Sequence, residues 1–472
     1  MPVRICKADC IEVQLKARLP FRYGIATMTE TPHRFVRVEL DVNGNKQTGI
    51  AADHLPPKWF TKNPTSSLAS DLAEMRDVID HALHTAENLG SAETVFDLWL
   101  RLHVAQKRWA EARYPALLWS FGVSLVERAL MDAFCRATGT TFATAIRQNT
   151  FGVRLEELYP DLSGISISDL VPPEPLRSIR VRHTIGLGDP LTDNTIPDSD
   201  RINDGLPQSL EKSIQQYGLN HFKIKLFGVA NQDCERLKII AELLRDNTNG
   251  FWFSLDGNEN YRDPESFIDL WRSLQDESVL KEFLSRLLFV EQPFHREIAL
   301  SDRVFETLNK WTDRPPLLID ESDGSFGDLP RALACGYIGT SHKNCKGIIK
   351  SLANAALLSL ESQRTGKTYT LSGEDLSTVG PVALLQDLTV HATLGIDHVE
   401  RNGHHYFAGL SGFSSGIQQA ALTGYPDLYR LHDNRFPTLN IQSGQVKLDS
   451  LLEAPFGVGS PLLTAVLSTE FH

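Results

Sequence analysis

Between residues 179 and 399 the chain repeats one pattern eight times: a short apolar run, then a helical stretch. The runs are rich in Ile, Leu, Val and Phe and fall at 179–185, 221–226, 251–255, 287–290, 316–319, 337–340, 368–371 and 395–399. Stretches between them, such as 233–245 and 264–274, carry apolar residues at helical spacing. Strands that are apolar throughout are buried on both faces, as in a parallel sheet covered by helices. Eight such units in succession predict an α/β fold, a closed (β/α)8 barrel of TIM type.

The chain on either side reads differently. Val36-Arg37-Val38-Glu39-Leu40 alternates apolar and polar residues, and Asn43-Gly44 follows as a hairpin-turn signal. Helical patterns come next at 68–89 and 119–134. The expected layout is an N-terminal α+β capping domain over 1–140 and a linker or insertion over 141–178, rich in Pro, Ser and Asp. The barrel is expected over 179–404, with a C-terminal segment, 405–472, packing back on the cap and completing it.

A barrel of this kind carries function at the C-terminal ends of its strands. Polar residues stand there in series: Lys223 and Lys225, Asp256 and Asn258, Glu291, Asp320 and Glu321, Lys343, Glu374, then Glu400. They recur every 23 to 35 residues, close to the length of one βα unit. Asp256, Glu291 and Asp320 end three consecutive strands, which lie about 4.8 Å apart. Carboxylates converging in this way repel one another unless a hard cation sits between them. An all-oxygen set suits Mg²⁺, with Mn²⁺ the alternative.

Lys223 and Lys225 share one strand face, because side chains alternate with period two. Lys343 ends the sixth strand, diametrically opposite the second, so lysines are expected to face each other across the mouth. Two ammoniums ~6.6 Å apart, at an effective dielectric of ~20, repel by ~2.5 kcal/mol, and this is expected to draw one lysine down from ~10.4 toward the range of a general base.

Composition narrows the partners. The chain has 47 Lys and Arg against 59 Asp and Glu, a net charge of −12, with no basic run. That is a poor surface for nucleic acid overall, with room for a local basic site. The rim lysines around the metal acids are expected to take the carboxylate of a small-molecule substrate. The longest uncharged run, 406–426, contains four Gly, three Ser and two Gln, so no membrane span is expected. The N-terminal residues lack an apolar stretch of signal-peptide type. Six cysteines are too sparse for a disulfide framework, so reduced thiols and a cytoplasmic location are expected. A homo-oligomer is expected.

Lys223-Ile224-Lys225, Asp256-Gly257-Asn258, Val290-Glu291-Gln292-Pro293, Ile319-Asp320-Glu321-Ser322 and His342-Lys343-Asn344-Cys345-Lys346-Gly347 occur in this order. This series resembles the enolase superfamily, specifically the muconate-lactonizing-enzyme-like, dual-lysine subgroup of the mandelate racemase/muconate lactonizing enzyme family. The helix Glu127-Arg128-Ala129-Leu130-Met131-Asp132 is similar to that family's helix before the barrel. The resemblance implies Mg²⁺ on Asp256, Glu291 and Asp320, and Lys225 and Lys343 as the acid/base pair with Lys223 an auxiliary. It also implies removal of the proton α to a substrate carboxylate, giving a metal-stabilised enediolate. The mandelate-racemase subgroup would carry a histidine where this chain has Glu374.

Asn258, Glu321 and Glu374 are expected beside the metal or the substrate. The cap loops should set specificity, with Arg22, Tyr23, Lys58 and Trp59 as candidates. The second glycine after the strand-6 lysine motif is replaced by Ile348, and Gly49-Ile50-Ala51-Ala52-Asp53 lacks the acidic GxGE ending. These departures bear on the substrate. The outcomes compatible with the residues are racemisation or epimerisation, cycloisomerisation, and syn elimination. A sugar-acid dehydratase and a non-catalytic binding protein on the same scaffold are the alternatives.

Two motifs are set aside. Gly412-Phe413-Ser414-Ser415-Gly416 fits GxSxG but lacks the strand that a nucleophile elbow requires. Gly186-Leu187-Gly188 lacks the third glycine of a dinucleotide fingerprint. His404-His405 reads as an exposed loop pair.

Overall fold

The computed structural model describes residues 1–469. The chain opens with a four-stranded sheet of order β3-β2-β1-β4, formed by β1 (Val3–Tyr23), β2 (Ala26–Val42), β3 (Asn45–His54) and the two-residue β4 (Ser91–Ala92). Asn43 and Gly44 both take positive φ (52° and 89°) at the β2–β3 turn, the geometry that matches the twist of paired strands.

Helices α1 (Leu68–Glu87), α2 (Val95–Ala110) and α3 (Ala116–Thr138) follow. Ser67 caps α1 through Ser70 N–H, and Thr94 caps α2 through Asp97 N–H. In α3 every residue from 117 to 135 is buried, as in a helix enclosed on all sides. It lies against β3 so closely that a Cβ at Gly49 would stand 2.1 Å from the Ala129 carbonyl oxygen, and only glycine fits.

The barrel strands are β5 (Ser178–Ile185), β6 (His221–Lys225), β7 (Trp252–Asp256), β8 (Leu287–Glu291), β9 (Leu317–Ile319), β10 (Gly339–His342), β11 (Thr370–Gly373) and β12 (His398–Arg401). They pair in parallel in sequence order, and β12 closes on β5. All eight runs seen in the sequence are strands. The last three begin two or three residues later than their apolar runs, because pairing continues through polar residues that face the barrel interior. Ser341 and Ser372 are buried there, while His342 turns outward to Ser351 and His391 of the surrounding helices. Arg182 crosses the same interior, donating to Ser254 Oγ, Ser372 Oγ and the Gly373 carbonyl.

Segment 141–178 is packed structure: α4 (Phe142–Arg147), then single 3-10 turns. Tyr159 Oη from this segment donates to Asn354 Oδ1 at 2.9 Å. The helices after β5 are α5 (Leu210–Tyr217), α6 (Ala230–Asn247), α7 (Pro264–Asp276), α8 (Lys281–Leu284), α9 (Asp302–Lys310), α10 (Asp328–Cys335), α11 (Ile348–Thr365) and α12 (Ala383–Leu394).

The C-terminal segment touches both layers. Its hairpin is β13 (Tyr429–His432) and β14 (Phe436–Leu439), and β15 (Gln445–Lys447) adds to the barrel sheet antiparallel to β5. Phe413 packs edge-on against Phe35 of the cap sheet, and Phe456 stacks on Phe142 at 4.2 Å. The last three residues of the 405–472 segment lie outside the described residues. Among the described residues no helix is long and apolar enough to cross a membrane. The six cysteines are free thiols.

Candidate active site

Register assembles the site. Lys225 on β6 pairs with Asp256 on β7, and Asp256 pairs with Glu291 on β8, so these three residues share one rung at the C-terminal rim. Asp320 follows the end of β9 directly, and Lys343 follows the end of β10. Since β6 and β10 are four strands apart in a closed eight-strand ring, Lys225 and Lys343 approach from opposite sides.

Each lysine is held by an acid. Lys225 Nζ donates to Asp256 Oδ2 at 3.2 Å and to Asn258 Oδ1 at 2.8 Å. Lys343 Nζ donates to Asp320 Oδ2 at 2.6 Å and lies 4.7 Å from the centre of the Trp59 ring. Lys346, one 3-10 turn on, sits 2.8 Å from Asp320 Oδ1. Lys223 lies deeper, its Nζ within 2.7–3.1 Å of Asp256, Glu291, Glu374 and Glu400.

This cage corrects one expectation. The lysines are not left to repel each other. Burial alone would lower Lys223, but Asp256, Glu291, Glu374 and Glu400 outweigh it and hold the ammonium well above its ordinary value. Burial likewise opposes charge on Lys343, and Asp320 reverses the effect and raises it well above the usual range. The sequence showed the lysines but not how many carboxylates would surround them.

The acids are perturbed in opposite directions. Burial pushes Asp320 up, yet Lys343, Lys346 and Lys223 together hold it well below the usual carboxylate range. Asp256 is lowered in the same way, with Lys223 and Lys225 overcoming burial. Glu291 is the exception. Burial and the neighbouring Glu374 push it well above the ordinary value, and Lys223 offsets this only in part.

Glu291 Oε2 is buried and accepts no well-aligned hydrogen bond; its contact with Lys223 is an ion pair at 2.7 Å. A buried carboxylate this poorly satisfied, beside two further carboxylates, is the donor chemistry that a hard divalent cation completes. Asp256, Glu291 and Asp320 therefore fit Mg²⁺ as ligands. A different group, His342, Asp387 and His391, brings three ligand atoms within 4.8 Å of one another. There Asp387 is ion-paired to Arg401, so a positive charge already fills that place.

The mouth opens into a cavity of about 50 Å³, lined by Lys223, Lys225, Lys343, Asp256 and Asp320 below and by Phe21, Tyr23 and Trp59 of the cap above. Glu321 lines it, with Oε2 unpartnered and its carboxyl pushed to about 7 by burial and by Asp320. Glu400 also lines it, accepting from Thr184 Oγ1 at 2.8 Å, and is pushed to about 7 by burial against the pull of Lys223. Glu374 lies below, ion-paired to Arg182 and Lys223, which together hold it well below its ordinary value despite burial.

Of the cap candidates, Tyr23 and Trp59 line the cavity, and Tyr23 Oη donates to the Pro57 carbonyl at 2.9 Å. Strand alternation turns Arg22 outward, where it is exposed and away from the cavity. The Lys58 ammonium is occupied by the Asn63 carbonyl at 2.8 Å, Ser66 Oγ at 2.6 Å and Asp71 at 3.1 Å, so only its stem meets the cavity.

Sequence reasoning did not single out Arg182, Lys346 or Glu400 as site residues. Glu400 had a signal in its place at the last strand end. Arg182 was hidden inside an apolar run. His404 and His405 are also not exposed loop residues. Both are pushed down by burial, and His404 Nε2 lies 3.1 Å from His183 Nδ1. Ser414 of the GxSxG motif accepts from Ile417 N–H as the cap of a helix and has no strand before it.

No protein-family model matches the chain, and no curated protein matches it in sequence. Solved structures match its fold. The muconate lactonizing enzyme of Pseudomonas Fluorescens, complexed with muconolactone, has a TM-score of 0.57 at 16% identity, covering 98% of each chain. The N-succinyl Arg/Lys racemase of Bacillus cereus ATCC 14579 has a TM-score of 0.55 at 17% identity, covering 96% of this chain and 98% of that one. The dipeptide epimerase of Enterococcus faecalis V583, complexed with Mg and L-Leu-L-Tyr, has a TM-score of 0.55 at 13% identity, covering 86% of this chain and 91% of that one. The chain therefore has the fold of mandelate racemase/muconate lactonizing proteins over nearly its whole length.

Proposed function

We propose that this protein is a Mg²⁺-dependent isomerase or lyase that removes the proton α to a substrate carboxylate, with Lys225 and Lys343 as the acid/base pair. The observation that carries this reading is the pair of lysines on opposite strands of one ring, with a rung of carboxylates between them. A substrate carboxylate seated at that rung has a lysine on either side of its α-carbon.

The charge inventory supports chemistry over scaffold. Asp256, Glu291, Asp320, Glu321, Glu374 and Glu400 are each at most 6% exposed, as are Lys223, Lys225, Lys343, Lys346 and Arg182. Buried ion pairs often stabilise a fold less than apolar residues of the same volume, so a structural role alone does not account for eleven charged groups at one end of a barrel. This weighs against a non-catalytic binding protein.

A divalent cation bound to Asp256, Glu291 and Asp320 would take over carboxylate charge that the lysines now neutralise and would stabilise the charge developing on the substrate. Lys225, freed of its proton, accepts the α-proton on one face. Lys343 as the ammonium delivers a proton on the other, or protonates a leaving group. Lys223 stays charged within its cage and keeps Glu374 and Glu400 from repelling an anionic substrate. The cap aromatics Phe21, Tyr23 and Trp59 exclude water and give the substrate an apolar roof. N-acyl amino acids and dipeptides suit this site, as they do the racemase and the epimerase with which it shares a fold.

The test is proton exchange in D₂O, followed by ¹H NMR, with N-succinyl-L-arginine, L-Leu-L-Tyr, mandelate and D-galactonate. At least one α-proton should wash out with Mg²⁺ present and persist in EDTA. Lys225→Ala and Lys343→Ala should each slow turnover ~10²–10⁴-fold. Unchanged exchange in both variants rules out the assignment, and loss of water from the sugar acid alone would favour the dehydratase.

A further inference from the structure

Loop 55–63 of the cap is joined to the barrel at two points, and each leads to one of the two lysines. At the first, Arg296 donates to the Trp59 carbonyl at 2.8 Å and to the Phe60 carbonyl at 2.6 Å. Trp59 so held puts its ring beside Lys343 Nζ. At the second, Lys62 Nζ donates to the Asn258 carbonyl, and Asn258 Oδ1 accepts from Lys225 Nζ.

One carboxylate serves both joints. Glu259 receives the Arg296 guanidinium at 2.7 Å on Oε1 and 2.8 Å on Oε2, accepts Arg296 N–H at 2.9 Å, and lies 3.5 Å from Lys62 Nζ. It is 3% exposed and, like Lys62, stands in the wall of the cavity. Asn258 and Glu259 both hold positive φ (43° and 62°), a backbone turn that aims the Asn258 side chain at Lys225 and the Glu259 side chain at the loop. On the cap side the loop is anchored independently: Leu55 N–H donates to the Pro32 carbonyl, and Phe60 packs on Phe121 at 4.6 Å.

We infer that Glu259 is a positioning residue, the single anchor through which cap loop 55–63 sets both Lys225 and Lys343. The inference rests on the two-lysine reading above for its catalytic consequence, but not for its structural one. Through Arg296 it orients Trp59 over Lys343; through Lys62 it fixes the turn whose asparagine holds Lys225. Glu259 touches neither lysine.

The experiment has two arms. The first needs no substrate: hydrogen–deuterium exchange of the peptide spanning 55–63 in the intact protein. Glu259→Gln should speed its exchange at least ~10-fold while α3 stays protected. Glu265→Gln, which removes a carboxylate from an exposed pair with Arg303, should leave it unchanged. If the Gln variant exchanges like wild type, the anchor is overturned, whatever the chemistry proves to be. Should Glu259→Gln fail to fold, Arg296→Lys and Lys62→Met carry the same arm, each loosening one joint.

The second arm reads enantiomers separately, using the N-acyl amino acid or dipeptide that exchanges its α-proton. Arg296→Lys should slow exchange mainly for one enantiomer and Lys62→Met mainly for the other, in kcat more than in KM, while Glu259→Gln slows both. Equal losses for both enantiomers in the two single-joint variants would overturn the positioning role. A wild type that exchanges no α-proton would sink the two-lysine reading alone, and the first arm would still decide the anchor.

Discussion

Glu291 is the acid whose surroundings point most directly to a cation. It is 1% exposed, its Oε2 accepts no well-aligned hydrogen bond, and burial and Glu374 push its carboxyl up. Losing its charge while keeping its shape should therefore cost the metal-free protein little. Glu291→Gln is expected to change metal-free stability by no more than about 1 kcal/mol, well short of the ~3–5 kcal/mol usual for breaking a buried pair, because Lys223 keeps three other carboxylates. The same change should weaken Mg²⁺ binding at least ~10-fold, about 1.4 kcal/mol. Calorimetric titration and urea unfolding, each with and without Mg²⁺, check the pair. A variant that loses metal-free stability but keeps its Mg²⁺ affinity would show Glu291 to be scaffold.

Among the elements, the end of β3 meets the barrel through His54, which is backed by His33 of β2. His54 Nε2 lies 3.1 Å from the Ser377 carbonyl, so it is the donor, and its Nδ1 must then accept from His33 Nδ1, 3.1 Å away. His33, neutral with its proton on Nδ1, has an acceptor at Nε2, and that atom has no partner. Burial pushes His54 down to about 4 and His33 well below its ordinary value. A folded-state value below the unfolded one means that stability is fully present above about 6.5 and is lost as pH falls toward 4.

For His54 alone the loss at pH 5 is about 2 kcal/mol. His54→Gln can donate to Ser377 and accept from His33 but cannot titrate. It should lose about 2 kcal/mol less than wild type between pH 7.5 and 5.0, measured by urea unfolding. Identical losses would move the acid sensitivity elsewhere.

On the scale of the whole molecule, cap and barrel share a core. Helix α3 is buried along nearly its whole length: Arg128 pairs with Asp53 on β3 at 2.8 Å, and Glu127 accepts the first N–H groups of α11, from Ile348 and Ile349. Gln386 on α12 donates to the Ile50 carbonyl of the cap sheet at 2.7 Å. Unfolding the cap alone would strand these buried polar groups, at about 1–3 kcal/mol each. Urea unfolding should therefore be a single transition, with amides of α3 and of the barrel strands exchanging at one common free energy. A cap that exchanges first, with the barrel still protected, would show two independent units.

What the sequence determines alone follows from short-range periodicity. Eight apolar runs at βα spacing predict a parallel sheet covered on both faces, and their number points to a closed barrel. A barrel in turn brings residues at successive strand ends to one rim, so Lys225, Asp256, Glu291, Asp320 and Lys343 could be placed together before any coordinates. What only the tertiary structure decided depends on partners far apart in the chain. The charge on Lys223 is held by Asp256 and Glu291 and, from more than 150 residues away, by Glu374 and Glu400, and Trp59 reaches Lys343 because Arg296 holds its carbonyl. Arg22 and Lys58 matched Tyr23 and Trp59 as candidates in sequence, but strand alternation turned Arg22 outward and a local hydrogen-bond cluster took up the Lys58 ammonium. The physical reason is the same in each case. Backbone pattern is local, whereas a buried charge is governed by whichever side chains lie within a few ångströms, and sequence distance carries no information about those.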